Sequence, residues 1–382
     1  MEDATASAPG TPGCARDPRA RLLLSDGSEF PGRAFGSTRA CAGEVVFTTG
    51  MVGYPESLTD PSYRGQILAF TYPLIGNYGV PPQSCLAGGV PEDFESARIQ
   101  VEGVVVSTLS PDHSHWSAGG SLAEWLSEEG IPGIDGVDTR ALTKRLRRQG
   151  TMPGRILIEG SGAGGGDAGE ILEKVPFAEI GRKNLVREVS VPRPVLHGDG
   201  SPRVILVDCG VKAGIIRSLR RRGVSVLQVP WNHDLAAENG DGILVSNGPG
   251  DPKMAAETVE RLRAALDDSR PLFGICLGNQ LVGLAAGCDT YKLKFGHRSQ
   301  NQPCVEEGTR RCTITSQNHG YAVDSDTLPD GWEVWFSNAN DGTNEGIRHR
   351  EKPFFTVQFH PEACPGPGDT GGLFDRFVEM LR

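Results

Sequence analysis

The chain has 382 residues, of which 38% are hydrophobic and 23% are charged, a composition that excludes fibrous and disordered proteins and favours two globular domains. Its 48 acidic residues outnumber its 38 basic residues and give a formal net charge of -10 at pH 7. Because this balance does not attract phosphate backbones or anionic lipid, we expect no nucleic acid or membrane partner.

The N-terminus lacks the apolar core of a signal peptide, and no apolar run approaches the ~18 to 20 residues of a membrane span. We therefore expect a soluble protein in the cytoplasm, with an organelle as the alternative location. The nine cysteines form no CxxC pair, so the sequence predicts neither a disulfide framework nor a metal site.

Residues 1–19, rich in Ala, Pro, Gly and Ser, are predicted to be a disordered leader. Residues 20–158 are predicted to form a mixed α/β domain, because short β-type runs alternate with turn signals and helical stretches. The β-type runs are RLLLSDG, EVVFTTG, QILAFTYP and QVEGVVVS, and the helices are predicted over residues 121–129 and 139–149.

Residues 159–201 are predicted to be a linker that contains a literal GxGxxG at Gly164, Gly166 and Gly169. The motif follows a strand-like run and precedes a helix-like run, as a dinucleotide-binding fingerprint requires. However, a tract so rich in Gly and Ala matches the pattern by chance, and no βαβ series continues before Val204. We interpret it as a flexible linker. An NAD(P)-dependent oxidoreductase is the alternative that this motif leaves open.

Residues 202–382 alternate strand-like and helix-like runs, which predicts a doubly wound, mostly parallel sheet covered by helices on both faces. Later strands are predicted at CTITS, WEVWFSNA and PFFTVQF, before a last helix around residues 372–381. The predicted fold class is therefore α/β, with a mixed N-terminal domain and a doubly wound C-terminal domain.

A GxCxG string, Gly274 to Gly278, lies between an apolar strand and a helix. Glycines flank a nucleophile in such an elbow because the strand-to-helix turn is sharp and leaves no room for side chains. The free N–H groups of the following helix favour a thiolate. The pattern predicts Cys276 as a nucleophile at the carboxyl edge of the sheet.

A cysteine nucleophile needs a base, and the base needs an orienting group. His360 and Glu362 lie two residues apart at the end of a predicted strand and supply both. His319 is the other histidine considered as a base, but it is predicted to lie in a loop without a carboxylate to orient it. The Gly-rich string from Asn247 to Asp251 predicts backbone donors for an oxyanion, with the Leu277 N–H as the second donor.

The strings NGPGDP, FGICLGNQ, SQNHGYAVD and VQFHPE resemble class I glutamine amidotransferases. The strings GEVVFTTGMVGYPESLTDPSYRGQIL, TYPLIGNYGV and GVDTRALTKRLR resemble the small chain of carbamoyl phosphate synthase. Together the resemblance covers the chain from about Arg21 to the C-terminus. It implies the fold of that family and an enzyme that hydrolyses L-glutamine.

By this resemblance, Cys276 attacks the glutamine amide and forms a thioester, His360 is the general base and acid, and Glu362 orients His360. The positions that resemble the glutamine-binding residues are Ser62, Gly248, Gly250, Leu277, Gln280, Asn318, Gly320 and Tyr321. Since Ser62 is far in sequence from the triad, we predict that the glutamine pocket lies between the two domains.

The resemblance also implies a large partner, either a separate synthase chain or a fused synthase domain, that receives ammonia through a tunnel. ATP and a divalent metal are expected in that partner, and no cofactor is expected in this chain. The product is carbamoyl phosphate, which serves pyrimidine or arginine synthesis.

The sequence departs from the family at Asn279, where the usual string GHQ reads GNQ, and at residues 296–299, where GHRS replaces GNRG. Asn279 resembles an ammonia-dependent mitochondrial branch in which the nucleophile has become serine. This similarity leaves open the alternative that the chain is a non-catalytic module that only stabilises and regulates the synthase. The retained Cys276 favours glutamine hydrolysis.

Overall fold

The computed structural model describes residues 18–86, 88–159, 176–178 and 180–382. The GxGxxG of the predicted linker and most of the predicted leader lie outside these residues. Arg19, placed at the end of the leader by the sequence, is instead the first residue of a strand.

The first domain contains nine strands and three helices in its described part. The strands are β1 (Arg19–Leu24), β2 (Glu29–Gly36), β3 (Cys41–Thr48), β4 (Gln66–Phe70), β5 (Leu74–Ile75), β6 (Gly103–Val105), β7 (Thr108–Leu109), β8 (Pro132–Asp135) and β9 (Met152–Ile158). The helices are α1 (Tyr54–Thr59), α2 (Leu122–Glu128) and α3 (Thr139–Gln149). Seven strands close into a barrel in the order β1-β2-β8-β6-β4-β3-β9, and β5 pairs with β7.

Successive residues of the barrel strands enter two different hydrophobic clusters, as the two-residue period of a strand requires. Val45 and Ile67 pack in one cluster with Leu142 of α3. Val46 and Leu68 pack in the other cluster, which α2 covers. The apolar runs of β3 and β4 are continuous because both faces of these strands are buried.

The second domain contains one sheet of ten strands and five helices among the described residues. The strands are β10 (Val195–His197), β11 (Arg203–Asp208), β12 (Ser225–Pro230), β13 (Gly242–Val245), β14 (Leu272–Ile275), β15 (Thr290–Glu306), β16 (Cys312–Val323), β17 (Trp332–Asn338), β18 (Asn344–His349) and β19 (Phe354–Val357). The helices are α4 (Val186–Val189), α5 (Ala213–Arg221), α6 (Ala256–Leu266), α7 (Leu277–Ala286) and α8 (Gly372–Met380).

The strand order is β10-β12-β11-β13-β14-β19-β18-β17-β15-β16. The five strands from β12 to β19 are parallel, as predicted, and helices cover both of their faces: α5 and α8 on one, α6 and α7 on the other. The other five pairings are antiparallel, so the mostly parallel prediction describes the centre of the sheet only. Four of these pairings are antiparallel because β15 to β19 follow one another without crossover helices, and the fifth joins β10 to the edge strand β12.

Two elements of this domain, α4 and β10, lie within the interval that the sequence assigns to a linker. β10 adds an antiparallel strand to the edge of the sheet, so the sheet begins before residue 202. None of the helices in the described part of the chain has the length and apolar character that a membrane span needs.

The two domains contact each other through one buried and one partly exposed pair of charged groups. Glu95 of the first domain accepts a hydrogen bond from the backbone N–H of Gly214 at 2.9 Å and forms an ion pair with Arg217. The carboxylate of Glu44 on β3 lies 2.6 Å from Lys292 Nζ on β15. These contacts fix the first domain beside the carboxyl edge of the parallel strands.

Candidate active site

Cys276 occupies a sharp turn between β14 and α7, with φ 55° and ψ -103°. Positive φ is unusual for a residue with a side chain and marks strain held by the surrounding structure. A Cβ on Gly278 would lie 2.2 Å from the Val245 carbonyl oxygen, and one on Gly274 would lie 2.8 Å from the Gly278 carbonyl oxygen. The turn therefore requires both flanking glycines of the predicted elbow.

The Cys276 side chain is buried at the start of α7. Its Sγ lies 3.6 Å from the carbonyl oxygen of Asn318, and its backbone N–H donates to the Val357 carbonyl at 2.8 Å. Leu277 is the first residue of α7, so its N–H is among those that have no acceptor inside the helix. An oxyanion formed by attack of the thiol on a substrate would therefore lie next to an available donor, the Leu277 N–H.

His360 and Glu362 form a buried pair immediately after β19. His360 Nδ1 lies 2.7 Å from Glu362 Oε1, while Nε2 has no hydrogen-bond partner among the described residues. Burial alone would lower the pKa of His360, but the negative charges of Glu362 and Cys276 outweigh it and raise the pKa to about 10. The imidazole thus lies between a carboxylate and the thiol, with Nε2 free for the thiol side.

Lys212 is a third charged group at this pair, and the sequence analysis missed it. Its Nζ lies 3.1 Å from Glu362 Oε1 and donates to the Ala363 carbonyl at 2.6 Å. Burial alone would raise the pKa of Glu362, but Lys212 and then His360 lower it to about 2. Lys212 therefore keeps the carboxylate charged in a buried position.

Most of the site residues predicted from the sequence line one pocket between the two domains. They are Ser62, Gly248, Gly250, Cys276, Gln280, Asn318, Gly320 and Tyr321. The side chain of Leu277 packs instead in the core beneath the pocket. His360 lines a second, smaller cavity that shares Asn318 with the first.

Ser62 enters this pocket from the first domain, in the short turn Pro61–Tyr63 between α1 and β4. Its hydroxyl accepts a hydrogen bond from Asn247 Nδ2 at 2.9 Å. The neighbouring Asp60 accepts one from Asn318 Nδ2 at 2.9 Å. The first domain therefore holds one side chain of the loop after β13 and one side chain of β16 in the second domain.

Four charged residues on the pocket wall were also missed: Glu44, Asp251, Lys292 and Arg298. Arg298 is buried, and its Nε has no hydrogen-bond partner in the described part of the chain. Lys292 and Arg298 are isolated charges in a polar strand and carry no motif beyond the unusual string at residues 296–299. Asp251 and Glu44 lie within strings that the sequence analysis quoted, but nothing in those strings assigned them to the pocket.

Residues 317–321 lie within β16 and not in the predicted loop. His319 Nδ1 lies 2.8 Å from the Tyr321 carbonyl oxygen, and Nε2 lies 3.1 Å from Gln317 Oε1. Both ring nitrogens thus lie beside oxygen atoms of Tyr321 and Gln317. This geometry favours His360 over His319 as the base.

Asn279 is buried between α7 and β19 and does not line the pocket. Its Nδ2 donates to Gln358 Oε1 at 3.1 Å, and its Oδ1 accepts from Thr356 Oγ1 at 2.6 Å. Gln358 Oε1 also accepts from Gln280 Nε2 at 3.1 Å. The departure at Asn279 therefore does not touch the pocket directly and is linked to it by hydrogen bonds through Gln358 to Gln280.

Two family models match the chain, each over one of its domains. The model for the carbamoyl-phosphate synthase small chain, CPSase domain, matches residues 22–156. The model for class-I glutamine amidotransferases matches residues 205–380. The carbamoyl phosphate synthase arginine-specific small chain of Neurospora crassa is 49% identical over 378 residues, which are 98% of this chain and 82% of that protein. The chain belongs to the carbamoyl phosphate synthase small-chain family.

Larger proteins also contain a region similar to this small chain. The multifunctional protein CAD of Squalus acanthias is 49% identical over 95% of this chain, which spans only 16% of that protein. The multifunctional protein URA2 of Saccharomyces cerevisiae is 48% identical over 94% of this chain, which spans 17% of that protein. Small chains of this family thus occur both alone and within long polypeptides.

Proposed function

We propose that this chain is the glutaminase component of carbamoyl phosphate synthase. It hydrolyses L-glutamine through Cys276, His360 and Glu362 and passes ammonia to a large synthase chain or a fused synthase domain. That partner uses ATP, a divalent metal and bicarbonate to make carbamoyl phosphate. The observation that carries the proposal is a strained cysteine at a helix N-terminus, beside a buried histidine–carboxylate pair and open to a pocket.

The reaction begins with attack of the Cys276 sulfur on the side-chain amide carbon of glutamine. Backbone N–H groups of Leu277 and Gly248 stabilise the oxyanion of the tetrahedral intermediate. His360 then gives its proton to the leaving nitrogen, and ammonia departs from a glutamyl thioester. Water, deprotonated by His360, attacks the thioester, releases glutamate and regenerates the thiol.

The charges on the pocket wall support an amino acid as substrate. An α-carboxylate and an α-ammonium group are opposite charges separated by one carbon, and a pocket for them needs both signs close together. Arg298 and Lys292 supply the positive groups, and Glu44 and Asp251 supply the negative groups. Ser62 and Gly320 line the same pocket with polar backbone or side-chain groups.

The smaller cavity beside His360 supports release of ammonia away from the glutamine pocket. Asp60, Tyr63, Lys212 and His360 are among the residues that line it. Polar lining suits a small molecule that donates and accepts hydrogen bonds. We propose that ammonia leaves through this cavity toward the synthase.

Labelling with a glutamine-like chloroketone tests the nucleophile. We expect one equivalent of label on Cys276, with loss of glutamate production from glutamine in proportion to the label. The exposed thiols of Cys85 and Cys312 serve as internal controls, since simple accessibility would favour them. Peptide mapping that places most of the label on another cysteine would contradict the assignment.

A further inference from the structure

Two histidines and a glutamate converge inside the second domain, on strands β15, β16 and β18. One possible ligand atom each from His297, His319 and Glu345 lies within 4.8 Å of the others. All three side chains are buried, and the two imidazole rings meet edge to face with centroids 4.9 Å apart. The reaction proposed above uses none of these three groups.

His297 is held in an orientation typical of a metal ligand. Its Nε2 lies 2.8 Å from Asp341 Oδ2, so a carboxylate fixes one nitrogen and leaves Nδ1 facing Glu345. The Nδ1 to Glu345 Oε1 distance is 3.4 Å. Two ligands of a tetrahedral zinc ion, each ~2.0 to 2.1 Å from the metal, are separated by roughly this distance.

His319 is oriented in the same manner by a backbone carbonyl. Its Nδ1 lies 2.8 Å from the Tyr321 carbonyl oxygen, which requires the proton on Nδ1 and leaves a lone pair on Nε2. Nε2 then faces Gln317 Oε1, a second acceptor, at 3.1 Å. The Nε2 lone pair therefore points toward another acceptor and is available to a metal ion.

Glu345 supplies the negative charge of the cluster. Its side chain is fully buried, and Oε2 has no hydrogen-bond partner in the residues that the structure describes. Oε1 accepts a hydrogen bond from Asn338 Nδ2 at 3.0 Å. A buried carboxylate oxygen without a donor is costly, and a bound cation satisfies it.

We propose that His297, His319 and Glu345 bind a divalent transition-metal ion, with Zn²⁺ the best match. Two imidazole nitrogens and one carboxylate are a zinc ligand set that leaves a fourth position open. Asp341 and the Tyr321 carbonyl orient the two histidines without touching the metal. Because the ligands lie on three separate strands, no linear motif marks the site, which is why the cysteine pattern alone predicted no metal.

Cobalt titration of the whole chain tests this proposal without relying on glutamine hydrolysis. The chain is first treated with a chelator, and Co²⁺ is added while the visible absorption is followed. We expect one equivalent of Co²⁺ with a four- or five-coordinate nitrogen and oxygen spectrum, displaced by Zn²⁺. We also expect Zn²⁺ to raise the melting temperature, since it binds the folded state only.

Three variants and one control locate the ion. His297→Asn and Glu345→Gln should each weaken metal binding at least about 100-fold, and Asp341→Asn should weaken it about 10-fold with the Co²⁺ spectrum retained. His233→Asn is the matched control, because His233 Nε2 pairs with Glu238 at 2.8 Å in a more exposed position. It should bind the metal as the unaltered chain does.

Three results would overturn the proposal. They are no Co²⁺ or Zn²⁺ binding by the unaltered chain, equal binding by the His297→Asn variant, and a thiolate-to-cobalt charge-transfer band. The last would place the ion on a cysteine. Glu345→Gln preserves the shape of the side chain, and circular dichroism checks that each variant folds.

Discussion

At the scale of single residues, Lys212 links the His360–Glu362 pair to the surrounding structure. It is nearly inaccessible to solvent and lies 3.1 Å from Glu362, and its backbone N–H donates to Asn247 Oδ1 at 3.0 Å. Removing one partner of a buried ion pair leaves the other charge buried and uncompensated. This lowers the free energy of unfolding more than replacing both partners by apolar residues would. Lys212 is therefore expected to matter for both stability and activity.

Replacement of Lys212 by methionine should lower stability by about 3–5 kcal/mol, because Glu362 stays buried without its cation. The pKa of Glu362 should rise, and glutamine hydrolysis should fall at least tenfold as the orientation of His360 is lost. Denaturant unfolding and glutamate formation measure the two effects. Lys253→Met, which removes an exposed pair with Asp289, is the control and should change neither. Equal behaviour of the two variants would contradict the role of Lys212.

The raised pKa of His360 makes a prediction about pH and stability. Its folded-state pKa, raised to about 10 by Glu362 and Cys276 against the effect of burial, exceeds the ordinary value of 6.5. The stabilising contribution is therefore complete below about pH 6.5 and is lost as the pH rises through 10. The stability difference between the unaltered chain and His360→Asn should shrink between pH 7 and pH 10. Urea unfolding measures it, and a difference that grows with pH would contradict this account.

The residues that the sequence could predict are those within contiguous strings. Cys276 with its glycines and His360 with Glu362 each occupy a few adjacent positions, so spacing alone indicated their chemistry. Lys212 and Asp60 approach the same site from separate elements, and a single lysine or aspartate has no pattern. Folding of the second domain brings Lys212 to the triad, and only the packing of the two domains brings Asp60 there.

At the level of elements, α3 shows what periodicity can predict. The structure has this helix at Thr139–Gln149, the predicted interval, because Leu142 and Leu146 face the core, Asp138 caps its start and Gly150 follows its end. β15 and the pocket-forming part of β16 were not predicted as strands. Their polar residues line the pocket or the buried histidine cluster, so they lack the apolar pattern of an ordinary strand.

Replacement of Gly278 tests whether the sharp turn between β14 and α7 is needed. In Gly278→Ala the new Cβ would meet the Val245 carbonyl oxygen at 2.2 Å, so α7 has to move away from β13. We expect a loss of about 1–3 kcal/mol in stability and at least a tenfold loss of glutamine hydrolysis. Gly372→Ala in α8 is the control, since no atom lies within 4 Å of its added Cβ. Full activity of Gly278→Ala would show that the strained turn is not needed.

For the whole molecule, the decisive feature is that the pocket belongs to neither domain alone. The pairing of Ser62 with Asn247 and of Asp60 with Asn318 crosses the boundary between the barrel and the ten-stranded sheet. The sequence predicted a pocket between domains from Ser62, through a resemblance. It could not predict the closed barrel or the antiparallel half of the sheet, because strand pairing over long separations leaves no local signal.

Ser62→Ala measures how far the first domain contributes to substrate binding. The change removes the acceptor of the Asn247 amide and a polar group on the pocket wall. Since such a contact is made equally before and during the reaction, KM for glutamine should rise several-fold with little change in kcat. Ser84→Ala, at a half-buried position of the same domain that does not line the pocket, should leave both constants unchanged. A collapsed kcat with unchanged KM would contradict a role in binding.

The nitrogen source used by the assembled synthase tests the central claim most directly. In the complex of this chain with its synthase partner, Cys276→Ser should abolish carbamoyl phosphate formation from glutamine, because a serine hydroxyl is far less readily ionised than a thiol. The same complex supplied with ammonium salt should keep its full rate, since ammonia bypasses the amide hydrolysis. Retention of synthesis from glutamine would show that Cys276 is not the nucleophile. Loss of synthesis from both sources would show that this chain does more than supply ammonia.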